Sequence, residues 1–295
     1  MTYSRSDRFV LLMFLVPAIL IIIFSEGYPL LYSLYLSFVD WTLSKSPVPQ
    51  GFVGFDNFAK VLHDDLFLYS IRNSLKFMVV STGLTVIGGF LFAILFVGED
   101  KWIKLSRTMM MIPIVVAPVA VGAMWRLMLD THFGLVNTIL KQVGIAPVDW
   151  LGNPRIALWS AIWADCWEWT PFVMIIYVAS IGSIDPSLRE SAMMDGANRW
   201  TILKRIIIPL VMPATLLILV FRVIDTFFVI DIIYSLTYGG PGTSTNTASF
   251  YIYNQGLKYF NISYAASSSW LLMTFSLLFA GILLHIKKRR ERSLG

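Results

Sequence analysis

Six stretches of this chain stay apolar for long enough to cross a bilayer, and that decides the fold class before any motif is read. A helix needs roughly 20 apolar residues to span the hydrocarbon core. Runs at about 9–32, 71–97, 106–129, 156–182, 206–236 and 264–286 reach that length. Inside lipid every backbone N–H and C=O must find a partner within the protein, so runs this long are read as helices. The expected fold is therefore all-α: a polytopic membrane helix bundle with six predicted transmembrane helices, one transmembrane domain over 1–295. Charged residues make up 14% of the chain, against about 25% in soluble domains, and no polar block is large enough to form a soluble domain. Pro113, Pro118, Pro171, Pro209 and Pro213 fall within the runs and are expected to bend or break them.

Orientation follows from where the basic residues lie. With a cytoplasmic N-terminus, the inner segments hold Arg5, Arg8, Lys101, Lys104, Arg107, Arg189, Arg199, Lys204, Arg205 and the tail Lys287, Lys288, Arg289, Arg290 and Arg292. The outer segments hold only Lys45, Lys60, Lys141, Arg155 and Lys258. The asymmetry puts both termini and the segment 185–205 in the cytoplasm. The net charge of +5 does not point to nucleic acid, because the tail alone accounts for it and reads as a cytoplasmic anchor. Arg5 and Arg8 followed by Phe9 to Phe24 have the layout of a signal peptide, but no small-x-small cleavage site follows. An uncleaved first span is the favoured reading. Cys166 is the single cysteine, so no disulfide forms within the chain. His63, His132 and His285 show no metal-ligand spacing.

The stretch from Arg189 to Pro209, RESAMMDGANRWTILKRIIIP, is charged and glycine-broken yet helical in character. Asp185-Pro186 is a helix start, with aspartate as cap and proline at the first helical position. A short helix is expected from Pro186 to about Met194. Gly196 is placed to end it, since glycine enters the left-handed region without a Cβ penalty. Asn198 is placed to cap a second helix that leads into the fifth span. A helix of about nine residues is marginal alone in water and must pack on something. Headgroups are one candidate, and a cytoplasmic partner is the other.

The same residues resemble a known signature. In the EAA motif of bacterial ABC importer permeases, Glu-Ala-Ala is followed after three residues by Gly and after nine more by Ile-x-Leu-Pro. This chain has Glu190-Ser191-Ala192, Gly196 and Ile206-Ile207-Ile208-Pro209, with Asp195 and Ala197 flanking the glycine as in the family. Ser191 and Ile208 depart from the pattern mildly. YPLLYSLYLSFVDW (28–41), FVGFDNF (52–58), RNSLKF (72–77), LTYGGPGTSTNT (236–247) and YAASSSWLL (264–272) are similar to the sugar-permease branch, the maltose and glycerol-3-phosphate type.

The resemblance implies a type I (MetI-like) ABC importer permease in a bacterial inner membrane. It implies that this chain makes half of a pore with a second, homologous permease subunit. A dimer of cytoplasmic ABC ATPases would be coupled through Glu190, Ser191, Ala192, Asp195, Gly196 and Ala197, and a periplasmic solute-binding protein would deliver a sugar or sugar derivative. ATP and Mg would be bound by the partner ATPase, leaving this chain with no cofactor and no catalytic residue. The absence of a G-x-x-x-x-G-K-[ST] loop agrees with that division.

Charge inside the spans is sparse and therefore informative. Asp165, Glu168 and Trp169 share one face of the fourth span by their spacing, and Trp163 and Trp167 flank them. Acids and aromatic rings suit a carbohydrate path; an aromatic belt at the outer interface is the competing reading. In the fifth span Arg222 and Asp225 are close enough in sequence to pair, and Asp231 follows. Arg222 either meets an anionic group on the cargo or is already satisfied by Asp225. An ion-coupled secondary transporter would favour two repeats with matching broken helices, which the sequence does not display. A membrane-embedded enzyme would have only Asp165 and Glu168 to work with.

Overall fold

The computed structural model describes the backbone of residues 5–294 and the side chains of 13–279. The side chains of Arg5, Arg8 and His285 and those of the basic tail lie outside that description. The first apolar run forms α1 (Arg5–Ile22) and α2 (Tyr28–Ser37), joined by a wider helical turn at Ile23–Gly27. A short α3 (Asp56–Leu62) precedes α4 (Asp65–Phe96). The third run yields α5 (Lys101–Met110), α6 (Ile112–Val115) and α7 (Pro118–Met128), followed by α8 (Leu135–Gln142). The fourth is α9 (Ala157–Gly182), which turns into α10 (Pro186–Met194). Next come α11 (Arg199–Ile202), α12 (Ile208–Leu210), α13 (Met212–Phe227), α14 (Ala248–Tyr253) and the long α15 (Ile262–Leu294). Among the described residues the one β pairing is an isolated bridge between Val39 and Phe52.

Three helical stretches are long and apolar enough to cross a membrane alone: Met13–Ser37, Asp65–Phe96 and Ile262–Phe279. The other three runs are bent, with angles of 97° between Lys101–Val115 and Pro118–Met128, 68° between α9 and α10, and 60° between Arg199–Leu210 and Met212–Phe227. Proline explains two of these. Ala117 is extended, at φ −61° and ψ 136°, as a residue before proline prefers, so the run read as one span over 106–129 is broken at Pro118. Pro209 and Pro213 bracket the break at Val211. Pro171 behaves otherwise: α9 continues through it as one helix, and Thr170 Oγ1 donates to the Cys166 carbonyl at 2.5 Å beside the lost backbone bond. The run read as 206–236 has a second break that no proline announces. α13 stops at Phe227 and helical turns resume at Asp231, with the Val229 carbonyl taken up by Thr247 Oγ1 at 3.0 Å.

Contacts divide the chain into two compact units. One holds residues 1–65 and 252–274. Its loop after α2 is closed by Asn57, whose Nδ2 donates to the carbonyls of Ser37 and Val39 at 3.0 and 2.8 Å. Trp270 Nε1 donates to Ser33 Oγ at 3.1 Å. The other unit holds residues 66–251 and 275–295. Its core joins Ala93 of α4, Val173, Met174, Tyr177 and Ile181 of α9, and Ile218 of α13. α4 and α9 approach closely at Gly89, where a Cβ would sit 2.5 Å from Val173 Cγ1. That contact brings the inner face of α4 against the charged face of α9.

Candidate functional site

Charge accumulates at two places in the larger unit. The first is the turn after α9. Asp185 is the N-cap of α10, and its carboxylate accepts from the Ser187 N–H at 2.9 Å. That bond holds the Asp185 carboxyl below the ordinary aspartate range. α10 closes with the Gly196 N–H on the Met193 carbonyl at 3.0 Å and the Ala197 N–H on the Ala192 carbonyl at 2.9 Å. This closure reverses the chain through Gly196 at φ +79°, a region that disfavours any residue with a Cβ. Asn198 Oδ1 accepts from the Thr201 N–H at 2.8 Å and starts α11. Glu190, Ser191, Asp195 and Gly196 are exposed, while Ala192 and Ala197 are half-buried. Met193, Met194 and Trp200 are also exposed, Met194 by 88%, so both acids and apolar side chains are left outward along this segment. Arg189 Nη2 donates to the Ile181 carbonyl at 3.0 Å and ties α10 to the end of α9.

The second place is buried. Arg222 of α13 has no solvent exposure. Its Nη1 donates to Asp225 at 2.6 Å, and its Nη2 donates both to Asp165 of α9 and to Ser81 Oγ of α4, the latter at 3.1 Å. Ser81 Oγ in turn donates to Asp165. The guanidinium carbon lies 4.9 Å from the Trp169 ring centroid, within cation–π range. Thr226 Oγ1 donates to the Arg222 carbonyl at 2.5 Å, and Thr82 and Thr226 hydroxyls are 3.3 Å apart. A buried charge is tolerated only when paired and hydrogen-bonded, and Arg222 meets that condition with two carboxylates and a hydroxyl. Glu168 is 2% exposed and its Oε2 has no partner; the buried Nε of Arg222 likewise has none.

Asp165, Glu168, Trp169, Asp225 and Asp231 line a cavity of about 220 Å³ that reaches the break after α13. The geometry therefore gathers five of the sequence-derived path residues, Asp165, Glu168, Trp169, Arg222 and Asp225, around one centre. Trp163 and Trp167 are placed elsewhere. They are 61% and 36% exposed and border an open apolar groove with Phe92, Met110 and Pro113. Ser81 was not among the sequence candidates, although it is the third corner of the Arg222–Asp165 network. Chemically the cavity offers carboxylate oxygens to hydroxyl donors and an aromatic edge to a ring. Among the described residues no group of His, Cys, Asp and Glu is arranged to hold a metal ion.

Comparison with known proteins identifies the family. A family model described as "Binding-protein-dependent transport system inner membrane component" matches residues 3–292. A probable ABC transporter permease protein of Sinorhizobium fredii is 36% identical over 264 residues, covering 90% of this chain and 85% of the relative. The trehalose/maltose transport system permease protein of Thermococcus litoralis is 35% identical over 244 residues, covering 82% and 81%. A crystal structure of a bacterial ABC transporter involved in the import of the acidic polysaccharide alginate superposes with a TM-score of 0.82 at 26% identity, over 96% of both chains.

Proposed function

Because this chain belongs to the family of binding-protein-dependent transport system inner membrane components, and so is a transport permease, we propose that its cargo is a sugar or sugar derivative and that it lines half of the pore. The second half is a homologous permease subunit, and a periplasmic solute-binding protein delivers the cargo. ATP and Mg are held by a cytoplasmic ATPase dimer. Both termini and α10 face the cytoplasm, on the side that the basic residues favour.

The observation that carries this reading is the built turn α10–Gly196–α11. It is capped at both starts, reversed through a left-handed glycine, and leaves Glu190, Asp195, Met194 and Trp200 each exposed. A nine-residue helix with that surface has no reason to persist in water unless it docks, and a groove on the ATPase is the fitting partner. Movement of the ATPase dimer is then passed to the pore through Glu190, Ser191, Ala192, Asp195, Gly196 and Ala197. Asp165, Glu168, Trp169, Arg222 and Asp225 border the cargo path. Trp163 and Trp167 serve the bilayer interface or the neighbouring subunit, as exposed aromatic residues of membrane helices do.

The test is reconstitution with the partner permease and ATPase, measuring sugar-stimulated ATP hydrolysis and complex assembly. Glu190→Lys and Gly196→Pro are expected to uncouple hydrolysis from cargo. Survival of both coupling and assembly in both variants would overturn the docking role of α10.

A further inference from the structure

We infer that the cavity between α9 and α13 admits an uncharged polyhydroxylated ligand and excludes anionic sugars such as uronates and sugar phosphates; this rests on the sugar-importer reading above. Arg222 is the cation beside the acids of this cavity, and its two Nη groups are committed to Asp165, Asp225 and Ser81, with the guanidinium over the Trp169 face. It does not line the cavity wall, whereas Asp165, Glu168, Asp225 and Asp231 do. An entering carboxylate or phosphate would thus meet four acids, while Arg222 stays behind the wall with only its buried Nε unpartnered.

The second observation is Glu168. Its side chain is buried, it lines the cavity, and Oε2 has no hydrogen-bond partner in the protein. Buried polar atoms are rarely left so. A ligand hydroxyl donating to Oε2 completes this atom, and the neighbouring Trp169 edge offers a surface to the ring that carries the hydroxyl. A ligand bringing another acceptor in place of that donor leaves Oε2 unpaired and adds repulsion, so the discrimination has both an attractive and a repulsive part. The site therefore separates two cargo classes that permeases of this fold are named for, neutral disaccharides and acidic saccharides.

The experiment uses the complete importer, with partner permease and ATPase, in nanodiscs without the solute-binding protein, so that the cavity is probed in place of the delivery protein. Equilibrium binding is measured for maltose, trehalose and lactose, each beside the uronate in which one CH2OH is a carboxylate. At least one neutral sugar is expected to bind, with its uronate weaker by about tenfold or more. The double substitution Glu168→Gln/Asp231→Asn is expected to narrow that gap to about threefold, with the thermal midpoint little changed because Arg222 keeps its partners. Equal binding of a sugar and its uronate, an unchanged gap in the double variant, or no neutral sugar bound would each overturn the inference. Adding the solute-binding protein and ATP separates the two levels. If sugars stimulate hydrolysis but charge makes no difference, only this inference fails; if no sugar of either kind stimulates hydrolysis, the sugar-importer reading fails with it.

Discussion

The buried centre and the turn at α10 are both charged interruptions of an apolar chain, yet they solve opposite problems. Around Arg222 each charge is answered within the protein: two carboxylates, a serine hydroxyl and an indole face surround one guanidinium. Around Gly196 the backbone is answered within the protein while the side chains are left outward. Asp185 and Asn198 cap, the carbonyls of Ala192 and Met193 are closed, and Glu190, Asp195 and Met194 remain exposed. The first arrangement makes a side chain indispensable to folding. The second makes the backbone indispensable and frees the side chains for a partner. Charge density along a sequence does not separate the two cases; the destination of each hydrogen bond does.

Substitutions sharpen that contrast. Arg222→Met leaves Asp165 buried without its cation, and a loss of about 3–5 kcal/mol is expected in detergent unfolding. Adding Asp165→Leu should return much of it, since an apolar pair can replace a buried ion pair at little cost. If the double variant is no more stable than the single, the network holds something other than a satisfied pair. Gly196→Ala is next, at about 1–2 kcal/mol for a Cβ in the left-handed region, read as loss of α10 protection in hydrogen exchange. Asn198→Ala should cost about 1 kcal/mol by removing the α11 cap. Glu190→Gln should leave stability within about 0.5 kcal/mol while weakening ATPase coupling; a clear fall in stability would place Glu190 in the same class as Arg222.

The smallest effect is a pH dependence at Asp185. Its carboxyl is depressed by the Ser187 N–H, so its contribution is present above the ordinary aspartate value of 3.8 and lost as pH falls through the depressed value. Protection of the Ser187 amide, taken against the intrinsic exchange rate at each pH, should fall across that acid range in the wild type. In Asp185→Asn, whose cap does not titrate, it should stay level.

The fold class was legible because span length and backbone satisfaction leave few choices. The finer breaks were not, and for a physical reason. Proline marks where a backbone donor is missing, but neighbours decide whether the helix survives it. Pro118 follows an extended Ala117, whereas Pro171 sits inside an unbroken α9. The break at 228–230 has no proline, and its stabilising partner, Thr247, lies 18 residues away. The site divides similarly. Helical spacing was enough to place Asp165, Glu168 and Trp169 on one face. Ser81 could not be found that way, because its partners on α9 and α13 are 84 and 141 residues distant. A signal was present: Ser70, Ser74, Ser81 and Thr85 of α4 are small hydroxyls at near-helical spacing, and all are buried. Trp163 and Trp167, two residues to either side of Asp165, lie about 200° round the helix from it and border a different surface of α9.

α9 reaches from one charged place to the other. Asp165 and Glu168 stand in its first half, and Ile181, whose carbonyl receives Arg189 of α10, stands at its end. Sixteen residues separate Asp165 from Ile181, about 24 Å of α-helix at 1.5 Å per residue. A loop of that length would absorb a push in its torsions. A hydrogen-bonded rod delivers it, so a tilt imposed at the α10 end displaces the acids at the other end in the same stroke, and the timing of cargo release becomes a matter of leverage.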